Sequence, residues 1–326
     1  MIIRMNKKKK LIISHVADVD GVSAVILAKL HYEDIDYCLV EISELESLIE
    51  KLIDERIYQD YDKIFITDLA LRTKTLELID ANDELKKKIK HFDHHITELS
   101  QAEKYSFVNV QNEKDGKLVC GTTMFYDYIK DDFKYKSAYL DTFLEAVRSY
   151  DTEGPLCGNQ YANDLTTLFN LIGIDNFISK FEQGIKNKTD PLTDDDQRMI
   201  DTENRRMEDY INQCDNNLIK IELNGYNVGV SISELYRSSV GNQLSLRHKE
   251  LDYILIINFM RNQFSLRTVK DGIHVGLIAK SFTPLGGGHE KASGMPINID
   301  TLFILDKVKE GLAERENIRI LNKNSN

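Results

Sequence analysis

Residues 11–21 read LIISHVADVDG, and the two ends of this stretch belong to different kinds of structure. Leu11, Ile12 and Ile13 make a short apolar, mostly β-branched run of the kind that forms a buried strand. His15, Asp18 and Asp20 follow at once, and Gly21 permits the turn into a helix over 21–30. Asp18 and Asp20 stand two apart, so in extended chain both carboxylates face one side. A strand ending in such groups delivers them to the carboxyl edge of a sheet, where open α/β folds place their ligand sites.

The same arrangement recurs along the first half of the chain. The run KIFITD predicts a strand over 63–68 that ends in Asp68, and IKHFD one over 89–93 that ends in the triplet Asp93-His94-His95. A strand over 36–42, a helix over 43–53 capped by Ser43, a helix beginning over 73–79 and a short strand over 105–110 complete the alternation. Alternation of this kind implies a parallel sheet flanked by helices. From Gly121 the pattern turns helical, over 122–129, 138–150, 162–171 and 176–184. Residues 191–218 are strongly charged and read as a long polar helix started by Thr193-Asp194-Asp195-Asp196. A second, smaller α/β unit with a mixed sheet begins near Ile219. Its signals are a hairpin around Asn224-Gly225, strands over 253–259 and 263–268, a helix from His274, the cluster PLGGGHEKASG and a last helix over about 299–315. The expected fold class is therefore α/β, with domains at 1–190 and 219–326 joined by a helical linker at 191–218.

Bulk composition narrows the function. With 326 residues, 42% hydrophobic and 29% charged, the chain is long enough for two ordinary globular domains. Cys38, Cys120, Cys157 and Cys214 are widely spaced with no CxxC pair, which argues against a zinc ribbon or a disulfide framework and fits a reduced, cytoplasmic setting. Lys7 to Lys10 read as a solvated lead-in to the first strand rather than a signal peptide, and no apolar run approaches the ~18 residues of a membrane span. A net charge of −11 argues against long duplex nucleic acid, which is bound through phosphate neutralisation, and favours short phosphorylated substrates.

The chemistry lies in the scattered acids and imidazoles. An isolated Asp at a strand end is more often a helix cap than a ligand, and His91 reads as strand entry. Two adjacent histidines after a buried strand are harder to dismiss, because both would need partners. Mixed Asp and His donors suit manganese among the divalent ions. His15, Asp18, Asp20, Asp68, His94, His95 and Asp151 are too many for one tetrahedral ion and suit two ions sharing a bridging carboxylate.

The order HxxDxDG, strand-end Asp, DHH and a later Asp resembles the DHH phosphoesterases, and GGGHEKASG resembles the signature of their C-terminal DHHA1 domain. The gap between His15 and Asp18 is two residues, where many relatives have three and others one. The resemblance implies that His15 and Asp18 ligate one metal and Asp20, His94 and Asp151 the other. It further implies that Asp68 bridges the two, that Asp93 supports the site, and that His95 contacts the scissile phosphate or acts as general acid. In the second domain it implies that Gly286, Gly287 and Gly288 approach the substrate through backbone, while Arg267 and His289 hold its terminal phosphate or nucleotide. The implied function is manganese-dependent hydrolysis of short oligoribonucleotides and of 3′-phosphoadenosine 5′-phosphate, like the oligoribonuclease branch of the family. Alternatives are a cyclic-dinucleotide phosphodiesterase and an inorganic polyphosphate or pyrophosphate hydrolase. The expected partners are short single-stranded RNA or a small phosphorylated nucleotide, with no long duplex and no membrane, and a homodimer is compatible with the reading. Tyr236, Phe259 and Phe264 are candidates for base stacking. Cys120-Gly121-Thr122-Thr123 starts a helix whose amides cap it or touch a phosphate.

Overall fold

The computed structural model describes residues 9–95 and 99–324. The chain divides into two compact units, 1–201 and 202–326. Unit 1 opens with β1 (Lys9–His15), α1 (Val19–His31), β2 (Ile35–Val40), α2 (Ile42–Asp54), β3 (Tyr61–Thr67), α3 (Thr73–Asp80), α4 (Asp83–Lys88) and β4 (Ile89–Asp93). It continues with α5 (Leu99–Lys104), β5 (Val108–Val110), the small hairpin β6 (Glu113–Lys114) and β7 (Lys117–Leu118), then α6 (Gly121–Ile129), α7 (Ala138–Glu153), α8 (Gln160–Ile172) and α9 (Ile174–Asn187). Lys7 and Lys8 of the basic lead-in lie outside the described residues.

Five strands form one sheet in the order β2-β1-β3-β4-β5, every pair parallel. Side chains alternate across a strand, so one run serves two cores. Ile12, Phe65 and Phe92 pack on one face with residues of α1, α6, α7, α8 and α9. Leu11, Ile13, Ile64, Ile66 and Ile89 pack on the other with α2, α3 and α4. This double burial explains why the strands read as continuous apolar runs.

Several boundaries differ from the sequence reading, among them those of α2 and α7. Helix α2 starts at Ile42, one residue before Ser43, because Glu41 and Glu44 cap each other: the Glu41 N–H donates to Glu44 Oε2 at 3.0 Å. Helix α7 runs on to Glu153 and is closed by Gly154 at φ 70°, which puts Asp151 on a helix rather than after one.

Helix α10 (Asp194–Asn216) is started by a reciprocal cap, in which Asp196 N–H donates to Thr193 Oγ1 at 3.2 Å and Thr193 N–H to Asp196 Oδ2 at 2.8 Å. After α10 come β8 (Ile219–Leu223), β9 (Tyr226–Ile232), α11 (Arg237–Arg247), β10 (Tyr253–Asn258), β11 (Gln263–Arg267), α12 (Val275–Phe282), β12 (Gly287–Gly288), β13 (Ala292–Pro296) and α13 (Phe303–Asn324). The six-stranded sheet of unit 2 is mixed, in the order β12-β13-β11-β10-β9-β8, with β9 and β10 parallel and the other pairs antiparallel. Asn224 and Gly225 both have positive φ, 51° and 82°, as the two-residue hairpin turn requires. Helix α13 begins four residues later than Ile299, because Thr301 Oγ1 donates to Pro296 O at 2.9 Å and holds the intervening residues in a turn. Among the described residues no helix is long and apolar enough to cross a membrane.

Candidate metal centre

The ends of β1, β3 and β4 and the last turn of α7 converge on one carboxylate and imidazole cluster. His15 Nδ1 lies 2.9 Å from Asp18 Oδ2 and 3.6 Å from Asp68 Oδ2. His94 Nε2 lies 3.4 Å from Asp68 Oδ1 and 3.3 Å from Asp151 Oδ2. Asp68 therefore stands between the two histidines and shares an oxygen with each. His95 Nδ1 is 2.7 Å from Asp93 Oδ1, a contact that orients the ring. All eight positions expected at the site, with Asp93 counted, are drawn into this region except that Asp20 joins it from the side of Asp151 and Cys120.

Local backbone explains the placement. Asp68 follows β3 in the left-handed region at φ 54°, a conformation that Asp and Asn tolerate best among residues with a Cβ. Its N–H donates to Phe92 O at 3.0 Å, tying it to β4. Ser14 Oγ donates to Gly21 O at 2.7 Å and lies 2.6 Å from Thr67 Oγ1, which fixes the turn after β1 to the end of β3. A Cβ on Gly21 would lie 2.2 Å from His15 O, so the turn that presents Asp18 and Asp20 needs glycine there.

Both aspartates of the first motif are also caps. Asp18 Oδ1 accepts from Gly21 N at 3.0 Å at the start of α1. Asp20 caps a helix one hundred residues away: Gly121 N donates to its Oδ2 at 2.7 Å and Thr122 N to its Oδ1 at 2.9 Å. The amides that open α6 are thus used on Asp20 rather than offered to a phosphate. Each carboxylate oxygen has two lone pairs, so capping leaves acceptor capacity for a cation. Cys120, the cap residue of α6, is buried and its sulfur clusters with Asp20 and Asp151 within 4.8 Å. Sequence reasoning did not place it at the site, since a lone Cys before a helix carries no ligand signal.

The electrostatics ask for positive charge. Asp68 Oδ2, Asp93 Oδ2, Asp151 Oδ2 and His94 Nε2 are buried atoms with no hydrogen-bond partner among the described residues. Burial disfavours a charged imidazole, yet Asp18 and Asp68 outweigh it and raise His15 to about 11. For His94 burial is likewise outweighed, by Asp68, Asp151 and Asp20, and its pKa rises to about 10. Burial and the Asp68 charge push Asp20 up to about 7, and burial with the Asp20 charge holds Asp151 well above the carboxylate range. Burial opposes ionisation of Asp68, but His15 and His94 beside it bring it down to about 2. Unpartnered buried oxygens crowded with like charge, mixed with imidazole nitrogen, are the donor set of a divalent cation site.

Unit 2 carries the remaining expected residues. The Arg267 guanidinium is half-buried at the end of β11. A Cβ on Gly286 would meet Ala279 O at 2.2 Å and one on Gly288 would meet Ala292 O at 2.7 Å, so both glycines are required by the protein's own backbone. Gly287 has open space around that position. His289 is exposed, and its N–H donates to Ala292 O at 2.8 Å. Of the stacking candidates, Phe264 is fully buried in the core and Tyr236 donates to Glu203 Oε1 at 2.5 Å, which leaves Phe259, about half exposed, as the accessible ring. His91 is buried, with Nε2 at 2.9 Å from Leu69 O, in keeping with a structural role.

Residues 9–148 match the DHH family, N-terminal domain. The chain is 33% identical over 297 residues to oligoribonuclease NrnB of Bacillus subtilis (strain 168), covering 89% of this chain and 74% of that protein. Among solved structures, exonuclease RecJ bound to manganese superposes with a TM-score of 0.56 at 12% identity, over 94% of this chain and 91% of that one. The pGpG-specific phosphodiesterase PggH from Vibrio cholerae gives 0.54 at 13% identity, over 94% and 99%. Fold, site and relatives together define a metal-dependent phosphoesterase, a hydrolase of phosphate ester bonds. The chain belongs to the DHH family.

Proposed function

We propose that this enzyme hydrolyses short oligoribonucleotides, and 3′-phosphoadenosine 5′-phosphate as a second substrate, with manganese as its metal. The observation that carries the reading is the 33% identity to an oligoribonuclease across 74% of that protein's length. In this reading residues 1–190 form the catalytic domain, 191–218 the linker helix and 219–326 the substrate-binding domain. His15, Asp18 and Asp68 would hold one ion, and Asp20, Asp68, His94 and Asp151 the other. Bound there, two divalent cations supply charge neutralisation at the phosphoryl group and a water acidic enough to act at neutral pH. Asp68, with an oxygen toward each histidine, would be the carboxylate shared by both ions.

The protein's own groups do the rest. Asp93 holds His95 by the 2.7 Å contact, and its charge outweighs burial to keep the ring basic. A protonated His95 Nε2 then faces the scissile phosphate, where it stabilises phosphoryl charge or gives a proton to the leaving oxygen. Arg267 and His289, with the backbone of Gly286, Gly287 and Gly288, hold the terminal phosphate or nucleotide. The four free cysteines support a reducing, cytoplasmic site of action.

A substrate panel tests the reading: an RNA dinucleotide, cyclic di-AMP, 3′-phosphoadenosine 5′-phosphate and tripolyphosphate turned over side by side with manganese and with magnesium. The RNA dinucleotide is expected to give the highest kcat/KM. Preference for tripolyphosphate or the cyclic dinucleotide overturns it. An Asp68→Ala variant that keeps full hydrolysis removes the bridging role.

A further inference from the structure

We propose that Arg237 is a further substrate-binding residue, pairing with Arg267 to seat a terminal phosphomonoester on unit 2. The proposal rests on the oligonucleotide reading above and adds to it a residue and a charge state for the end of the substrate.

Arg237 opens α11, whose N-cap, Tyr236, gives no side-chain cap and whose first turn carries no acid. It reaches back to β11, where its Nη1 donates to Gln263 Oε1 at 2.6 Å. Its Nε is buried and has no partner among the described residues. Arg267 lies four residues beyond Gln263 on the same face of β11. Its stem crosses Gly241 of α11 so closely that a Cβ there would lie 2.6 Å from Arg267 Cγ. From that position Arg267 Nη2 donates to Ser238 Oγ at 3.2 Å, and Nη1 to Leu266 O at 2.9 Å and Ser293 O at 3.3 Å. The two side chains thus cross the same seam in opposite directions, Arg237 from α11 to Gln263 and Arg267 from β11 to Ser238.

Among the described residues the side-chain partners of the two arginines are neutral: Gln263 for Arg237, and Ser238 with the Leu266 and Ser293 carbonyls for Arg267. Burial, then the charge of Arg237, lowers Arg267 to about 10, and burial, then the charge of Arg261, lowers Arg237. Two part-buried guanidinium groups held at one seam between α11 and β11, Arg237 on Gln263 and Arg267 on Ser238, at a helix start whose amides add positive partial charge, are arranged for an anion. Donors remain for it: Nε and Nη2 of Arg237 and one N–H of Arg267 Nη2. The fork geometry of guanidinium matches phosphate oxygens. A terminal phosphomonoester, with a second pKa of about 6, carries nearly two negative charges at neutral pH, whereas a phosphodiester carries one. The pair therefore selects a short oligonucleotide ending in a phosphomonoester over one ending in hydroxyl groups, and over a cyclic dinucleotide.

The test compares pApA and ApAp with ApA on the manganese-loaded full-length enzyme and on Arg237→Gln and Arg237→Lys. Wild type is expected to prefer one phosphorylated dinucleotide over ApA. In Arg237→Gln that preference should shrink about 10- to 100-fold, mainly through KM, the size expected for losing hydrogen bonds to a charged group. Arg237→Lys should restore part of it, since charge returns without the fork. Equal loss on all three substrates would make Arg237 a pin between α11 and β11 only, and overturns the proposal. So does a wild type that treats ApA and the phosphorylated forms alike, while leaving the oligoribonuclease reading in place. Failure to cleave any dinucleotide removes that reading itself. If Arg237→Gln does not fold, the same comparison on Arg237→Lys decides.

Discussion

Replacing Gly121 by alanine should damage the metal centre without unfolding the protein. The new Cβ would lie 2.8 Å from Asp68 Cβ, 2.9 Å from Asp68 N and 3.0 Å from Asp20 Oδ2. Ordinary contact begins at 3.4 Å, so the start of α6 and the end of β3 must separate by 0.6 Å. Asp68 N is backbone bonded to Phe92 O, which blocks an easy retreat. Overpacking of this kind destabilises by roughly 1–3 kcal/mol, and alanine in a helix offsets up to about 1 of that. Misplacing a catalytic group by about 1 Å can slow a reaction ~100-fold, so a 0.6 Å shift shared by two carboxylates should lower kcat about tenfold or more. Steady-state hydrolysis of an RNA dinucleotide, metal affinity by calorimetry and thermal melting measure the three effects. Turnover within twofold of wild type, with unchanged metal affinity, would refute the packing argument.

Metal uptake should release protons. His15 and His94, raised to about 11 and 10, are protonated at pH 7.5 and must become neutral to ligate, so affinity rises with pH up to that range. Calorimetry in two buffers of different ionisation enthalpy should show at least about two protons released per loaded chain; identical apparent enthalpies would contradict it. Asp93→Asn should slow turnover roughly 100-fold or more by freeing the His95 ring, with little effect on metal affinity, and a loss below fivefold would dismiss the orienting contact. Phe65→Ala should lower stability by about 3–5 kcal/mol in denaturant titration, since the ring is fully buried against Tyr32 and Phe125; a change below about 1 kcal/mol would contradict the core assignment.

The parallel sheet was legible because burial on both faces writes apolar runs directly into β1, β3 and β4, and because a polar group ends each run. The cluster at their ends was legible for the same reason. Asp151 carried little information in isolation and counted only as one of the set, since it sits on a helix whose approach to His94 depends on tertiary packing. Cys120 beside Asp20, and the capping of the Gly121 and Thr122 amides by Asp20, span about a hundred residues of sequence, and no local pattern encodes such a contact. Helix α11 escaped the sequence reading because its polar and apolar residues follow no clean stripe: it packs Val240 and Leu244 inward while offering Arg237 and Ser238 to β11. The stacking role considered for Phe264 failed because strand aromatics facing the core read the same as strand aromatics facing out.

The left-handed backbone at Asp68 narrows what evolution can place there. At φ 54° the chain accepts Gly, Asn and Asp with least strain, and excludes β-branched residues. A carboxylate reaching both histidines restricts the choice to Asp or Glu. These two filters share a single member. Glutamate, the substitution that preserves charge, carries more strain at this φ and sets its carboxylate one methylene further out, while asparagine, the one that preserves shape, fails on chemistry. In a saturation library selected for hydrolysis, position 68 should therefore return aspartate alone, with no neighbouring residue type as a stepping stone.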